Sequence, residues 1–234
     1  MSGTVDAPPN HSQSRDESNI AFSRTVDWAI GAVLGIFGVL LALSGAALYA
    51  SSTYTVVTEV IQNGEFQSDV LTEAEAIDIL VALGQWSAIG LAVTGGLLVA
   101  LGIAIVVLHG RARENTEATP TWILGAAGAI VSVVLSFIPL SPVLGGATAS
   151  YLDADQTASG LGTGTLAGVI GGLPPLVITV FAGFGLFMGI PGGLAPTAAA
   201  LLIATAILTL LYFVALSAVG GYLGAWARNR QRSA

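Results

Sequence analysis

The chain contains several apolar runs of about 20 residues, and these runs constrain its fold more than any other feature. A helix of this length crosses the hydrocarbon core of a bilayer, where only structures that pair all of their backbone groups are stable. Hydrophobic residues make up 54% of the chain and charged residues 9%. The pattern predicts an all-α, polytopic helical membrane protein in contact with the lipid bilayer.

The third apolar run is interrupted at residues 136–146, which read SFIPLSPVLGG. Proline lacks a backbone N–H and clashes with the preceding helical turn, and hydrocarbon offers no water to replace the lost hydrogen bond. The run must therefore turn at an interface or inside the protein. We predict a short or re-entrant hairpin segment here, turning at Pro139 and Pro142.

The rest of the chain divides by composition. Residues 1–24 lack apolar periodicity and are predicted to form a disordered cytoplasmic tail. Residues 25–110 are predicted to form a two-span helical hairpin with an acidic external segment and a surface helix, which starts at a capping box of Thr72 and Glu75. Residues 111–119 form a linker. Residues 120–234 form a glycine-rich multi-span domain, with spans predicted at 122–138, 143–152, 166–189 and 197–226, for about six membrane segments in all.

Small residues and prolines supply the candidate sites. Glycines at helical spacing allow close helix packing, and the Pro174–Pro175 pair predicts a kink or restart in the fourth long run. The letters LSPVLGG at 140–146 return as LSAVGG at 216–221. The candidate helix-packing or hairpin residues are Gly31, Gly35, Pro139, Pro142, Gly145, Gly146, Pro174, Pro175, Gly220, Gly221 and Gly224. Such faces predict association with a second copy or with another membrane protein.

The positions of the arginines predict the topology. They occur in the N-terminal tail, at Arg111 and Arg113, and at the C-terminal end, whereas the segment between the first two spans is acidic. Positive charge favours the cytoplasmic side, which places both termini inside a cell membrane. For both termini to lie inside, the chain must cross the membrane an even number of times, and this requires residues 143–152 to count as a return segment. The alternative is five spans with an external C-terminus.

Catalytic chemistry is not expected. The chain has no cysteine, and Asp27 and His109 lie at the edges of spans, where His109 is interpreted as an interfacial residue. No motif for a metal or a phosphate is found, so we predict no enzyme, catalytic residue, metal or cofactor. With seven basic residues, nucleic acid is not an expected partner.

All seven basic residues are arginine, and the net charge is -7. Acidic excess without lysine indicates a proteome adapted to high salt, where net charge maintains solubility. The alternative explanation is codon bias in a GC-rich genome.

From Ile123 to Arg228, the segments FIPLSPVLGGATASYL, GTLAGVIGGLPPL and YFVALSAVGGYLGAWAR resemble a domain-of-unknown-function family (number 5518) of small glycine-rich haloarchaeal membrane proteins. The best matches are SPVLGG at 141–146 and LSAVGGYLG at 216–224. The family has no established activity, so the resemblance implies no site residue. Its loop after the first glycine pair tends to be basic, whereas this chain carries Asp153 and Asp155.

These observations favour a non-enzymatic multi-pass component of a haloarchaeal cell membrane, in which helices assemble through small-residue faces. The alternative is a passive channel or small-solute transporter with a path at the broken helices, because exposed backbone lines such paths in transporters.

Overall fold

The computed structural model describes residues 24–64, 67–68, 71–114, 120–135, 138–153 and 160–232. The predicted disordered tail, apart from Arg24, lies outside the described residues. The regular structure of this part consists of α-helices: α1 (Arg24–Ser51), α2 (Tyr54–Asn63), α3 (Glu73–Glu114), α4 (Thr121–Val134), α5 (Ser141–Leu152), α6 (Leu161–Gly189) and α7 (Leu194–Arg232).

Four of these helices are long and apolar enough to cross a membrane, namely α1, α3, α6 and α7. The shortest, α1, has 28 residues and a length of about 42 Å, compared with about 30 Å for bilayer hydrocarbon. Many of their large apolar side chains are exposed, as expected for surfaces that face lipid. The predicted all-helical, multi-pass membrane class is therefore confirmed.

The long helices run antiparallel in the order α1, α3, α6, α7. Gly38 of α1 packs on Gly95 of α3, and Gly90 of α3 packs on Ile178 of α6. These contacts bring Arg24, Arg111, Arg228 and Arg230 to one end of the bundle, which we call the basic end. The opposite end, which we call the acidic end, carries Glu59, Glu73, Glu75 and Asp78.

Helices α4 and α5 form a hairpin that enters from the basic end and returns to it. They contain 14 and 12 residues, or about 21 and 18 Å, so neither is long enough to cross hydrocarbon. The sequence predicted a span over 122–138, but α4 ends at Val134. The hairpin turn lies level with the middle of α7, where the Tyr212 hydroxyl is 3.4 Å from the carbonyl oxygen of Pro139.

The helix that starts at the capping box continues through Gln85 and Trp86 into the second span, as the sequence predicted. Helix α3 runs without interruption for 42 residues and contains no proline. The capping box at its start is confirmed: the backbone N–H of Thr72 donates to Glu75 Oε2 (2.9 Å), and the N–H of Glu75 donates to Thr72 Oγ1 (3.3 Å).

Helix α6 continues through Pro174 and Pro175, so it does not restart at the proline pair as one interpretation of the sequence predicted. It begins at Leu161, five residues earlier than expected. Its N-cap, Gly160, has a φ of 72°, a left-handed conformation that glycine adopts without steric cost.

Candidate functional site at the helical hairpin

Helix α5 presents two faces of small residues to different neighbours. On one face, Gly145 lies so close to Gly128 and Ser132 of α4 that a Cβ would overlap both. On the other face, Gly146 lies so close to the carbonyl oxygen of Ser217 in α7 that a Cβ would overlap this oxygen. The adjacent glycines of the predicted hairpin therefore serve two separate helix contacts.

The two similar sequence segments, 140–146 and 216–221, lie against each other. The carbonyl oxygens of Val143 and Ala147 occupy the positions that a Cβ at Gly220 and Gly224 would take. Helices α5 and α7 are therefore parallel here, and their spacing brings Cα–H groups onto carbonyl oxygens, a weak interaction that recurs at close helix crossings.

The third glycine of this group on α7 faces α6. A Cβ at Gly221 would lie 2.8 Å from the Cα of Gly164. The residues Gly220, Gly221 and Gly224 therefore join α7 to both the hairpin and α6 through close backbone contacts.

The prediction that Gly31 and Gly35 form one packing face is wrong for the contact between α1 and α3. A Cβ at Gly31 would lie 2.6 Å from the Val106 side chain, but one at Gly35 would meet no described atom within 4 Å. The residues that face α3 recur every seven positions, at Gly31, Gly38 and Gly45. At about 100° per residue, a seven-residue step returns to within about 20° of the same direction, whereas Gly35 lies about 40° from Gly31 and about 60° from Gly38.

Arg228 closes the basic end of the hairpin. Its guanidinium donates to the carbonyl oxygens of Ser150 (2.9 Å) and Asp153, and its side chain is 5% exposed. Ser150 lies in the last turn of α5, where its carbonyl oxygen also accepts the backbone N–H of Asp153 (3.3 Å), and Asp153 is the C-cap of this helix. A cation at the C-terminal end of a helix also interacts favourably with the helix dipole.

Two further hydrogen bonds connect α5 to the start of α6. The hydroxyl of Ser150 donates to the carbonyl oxygen of Gly160 (2.7 Å), and the hydroxyl of Thr163 donates to Asp153 Oδ2 (2.6 Å). Together with Arg228 they fix the position of the hairpin relative to α6 and α7. Sequence reasoning identified Arg228 only as a charge that sets topology.

Asp27 and His109 form a buried pair between α1 and α3. His109 Nδ1 lies 2.7 Å from Asp27 Oδ1, and the residues are 1% and 3% exposed. The interpretation of His109 as an interfacial residue does not anticipate this buried partner. A buried imidazole needs a hydrogen-bond partner, and the antiparallel contact of α1 with α3 supplies one from a distant part of the sequence.

A cavity of about 470 Å³ lies beside α4 and the hairpin turn, between these and the long helices α1, α3, α6 and α7. Its wall includes Pro139 and Pro142 at the turn and Pro174 and Pro175 on α6. The structure therefore brings together all four prolines that the sequence singled out. The remaining wall is almost entirely apolar, with Phe37 on α1 and Tyr212 on α7 among its members.

At the acidic end, the hydroxyl of Tyr54 donates to Asp78 Oδ1 (3.0 Å) and fixes α2 on α3. This hydrogen bond and the negative charge of Asp78 raise the pKa of Tyr54, because ionisation would break the bond and place two negative charges together. Among the residues that the structure describes, no three His, Asp or Glu side chains come close enough to hold a metal ion.

The fold and its hairpin define the class: a multi-pass helical membrane protein in which four long helices surround a shorter helical hairpin. Residues 122–227 match a family of unknown function (DUF5518). This match covers the hairpin, α6 and most of α7, and it confirms the resemblance inferred from the C-terminal segments. The comparisons with curated proteins and with solved structures gave no match.

Proposed function

We propose that this protein is a non-enzymatic, multi-pass component of the cell membrane that assembles with itself or with another membrane protein. The observation that carries the proposal is Gly35 on α1, where a Cβ would meet no described atom within 4 Å, so that this glycine leaves a small-residue surface open to a second helix. The buried ionisable groups have structural partners: Asp27 bonds His109, and Arg228 bonds the end of α5. The absence of lysine and the excess of acidic residues support a haloarchaeal source.

We further propose that the basic end faces the cytoplasm, with both termini on that side, and that α4 and α5 form a re-entrant hairpin. Arginine at one end of the bundle and carboxylates at the other support this orientation. In this arrangement α1, α3, α6 and α7 cross the membrane, and the hairpin turn lies near the middle of the bilayer.

The alternative is a passive channel or small-solute transporter. The hairpin and the prolines of α6 favour it, because broken helices line the paths of many transporters. The wall of the cavity argues against it, since polar solutes need polar groups along their path. Toward the basic end, the fully buried side chains of Ile105 and Ile123 lie in a packed cluster with Leu34. This cluster separates the cavity from the basic end.

Association is tested in native membranes by photobleaching of single fluorescent copies or by cross-linking. The expected result is a complex larger than a monomer. Gly35→Leu is the informative variant, because Gly35 has open space around it and a larger side chain there disturbs no described internal contact. We expect it to weaken association while thermal unfolding stays unchanged.

Flux through reconstituted vesicles tests the alternative directly. We expect vesicles of phosphatidylcholine and phosphatidylglycerol with the protein to leak potassium and glycerol no faster than empty vesicles. A monomeric protein that conducts either solute, with conduction abolished by Leu98→Trp in the cavity wall and retained in the adjacent Leu97→Trp, would overturn the proposal in favour of a channel.

A further inference from the structure

The cavity beside α4 and the hairpin turn lies near the middle of three of the long helices that border it, α1, α6 and α7. Phe37 is near the middle of α1, Pro174 near the middle of α6, and Tyr212 near the middle of α7. In a bilayer centred on the long helices, this level is the midplane, about 15 Å from each edge of the hydrocarbon. The cavity is therefore surrounded by lipid tails rather than by water.

The cavity has a closed side and an open side. The Leu34, Ile105 and Ile123 cluster closes it toward the basic end. Rim residues such as Phe37, Val134 and Tyr212 are exposed, so the cavity opens sideways. A molecule that enters must therefore come from the surrounding lipid at the level of the hairpin turn.

The lining excludes polar occupants. Its side chains are mainly leucine, isoleucine, valine and proline, and no charged residue contributes to it. Two of its polar side chains already have hydrogen-bond partners. The Ser132 hydroxyl donates to the carbonyl oxygen of Gly128 (3.2 Å), and the Tyr212 hydroxyl lies 3.4 Å from the carbonyl oxygen of Pro139. A volume of about 470 Å³ is within the usual range of ligand pockets.

We propose that this cavity binds the terminal part of one hydrocarbon chain of a membrane lipid. The driving force is packing, because the medium outside is itself hydrocarbon and an unfilled cavity loses its dispersion contacts. The lipid chain fills the space between the second half of α4 and the long helices. This inference rests on the proposed re-entrant placement of the hairpin.

The test uses photocrosslinking of the full chain in phosphatidylcholine vesicles. One probe is a phosphatidylcholine with a diazirine at the methyl end of an acyl chain, and a second carries the diazirine near the headgroup. The methyl-end probe should label Phe37, Ile138 and Tyr212 more strongly than Leu208, an exposed residue at a similar depth on α7. The headgroup-end probe should not label the cavity residues.

A matched pair of variants isolates the cavity. Leu98 lines it, whereas the adjacent Leu97 is 57% exposed and points away from it. Leu98→Trp should reduce labelling of Phe37 and Tyr212 by the methyl-end probe to the level at Leu208, and Leu97→Trp should leave it unchanged. Native mass spectrometry should find a retained lipid on the original chain and on Leu97→Trp, but not on Leu98→Trp.

The inference is overturned if the methyl-end probe labels the cavity no more than Leu208, or if Leu98→Trp unfolds at the same temperature as the original chain and keeps full labelling. If Leu98→Trp does not fold, the comparison of the two probes on the original chain decides. Sided labelling of cysteines tests the hairpin placement separately. If that topology is correct but the methyl-end probe labels the cavity residues and Leu208 equally, only the proposed lipid site is refuted.

Discussion

Gly220 shows how a single position can restrict a helix contact. The carbonyl oxygen of Val143 occupies the place of a Cβ there. This oxygen belongs to the backbone of α5 and a Cβ is fixed to the backbone of α7, so neither can rotate away. Gly35 provides the opposite case, since a Cβ there would meet no described atom. Glycine content alone does not distinguish these positions, because the difference depends on which helix lies opposite.

Gly220→Ala should lower the free energy of unfolding by about 1–3 kcal/mol, the usual cost of overpacking a close contact. Gly35→Ala should leave it unchanged or raise it by up to about 1 kcal/mol, because alanine favours helix more than glycine does. Thermal unfolding in detergent micelles, followed by circular dichroism, measures both. Equal midpoints for the two variants would contradict the α5–α7 contact.

Asp27→Leu should destabilise the protein by about 3 kcal/mol, because it leaves His109 buried without its carboxylate. Replacing both residues together, Asp27→Leu with His109→Leu, should recover most of that loss, since neither polar group is then left buried. A double-mutant cycle from unfolding midpoints gives the coupling. Additive effects of the two single substitutions would show that the side chains do not interact.

The sequence identified Asp27 and His109 as the edges of two spans but did not pair them. They are 82 residues apart, and nothing in their local sequence indicates a partner. Their pairing follows from the register of α1 on α3, in which small residues recur every seven positions. That spacing was present in the sequence, at Gly31, Gly38 and Gly45, and is the signal that would have predicted the contact.

At the scale of the element, the hairpin depends on what satisfies its ends. Helix α5 starts with Pro142 in its first turn, where the missing N–H costs no helical bond, and ends with its carbonyl oxygens bonded to Arg228. The turn and the start of α5 were predictable because proline restricts the backbone locally. The Arg228 contact was not, because it joins residues 78 apart in the chain.

Arg228→Lys should accelerate backbone hydrogen exchange in the last turn of α5, residues 149–152. Lysine keeps the charge but lacks the planar group that reaches two carbonyl oxygens at once. Arg230→Lys is the control, since Arg230 lies over the exposed Trp226 ring at 5.3 Å. Exchange measured by mass spectrometry should change in the first variant only. Equal exchange in both would mean that Arg228 does not hold the helix end.

At the scale of the whole molecule, the sequence predicted the membrane class, the long spans and the interruption at Pro139. These features follow from hydrophobicity and from proline, which act locally. The length of α4 was overestimated because apolar residues continue past Val134 into the turn. The cavity was not predicted, because it forms between α4 and long helices that come from distant parts of the chain.

The central claim is that the hairpin enters and leaves the membrane on one side, and sided labelling of single cysteines tests it most directly. The chain has no cysteine of its own, so Leu161→Cys, Leu194→Cys and Gln231→Cys each report one exposed position. With an impermeant maleimide on intact cells, we expect Leu194→Cys to react and the other two to react only after the membrane is opened. Reaction of Leu161→Cys and Gln231→Cys from outside would instead mean that the hairpin region crosses the membrane once, and would contradict the proposed topology.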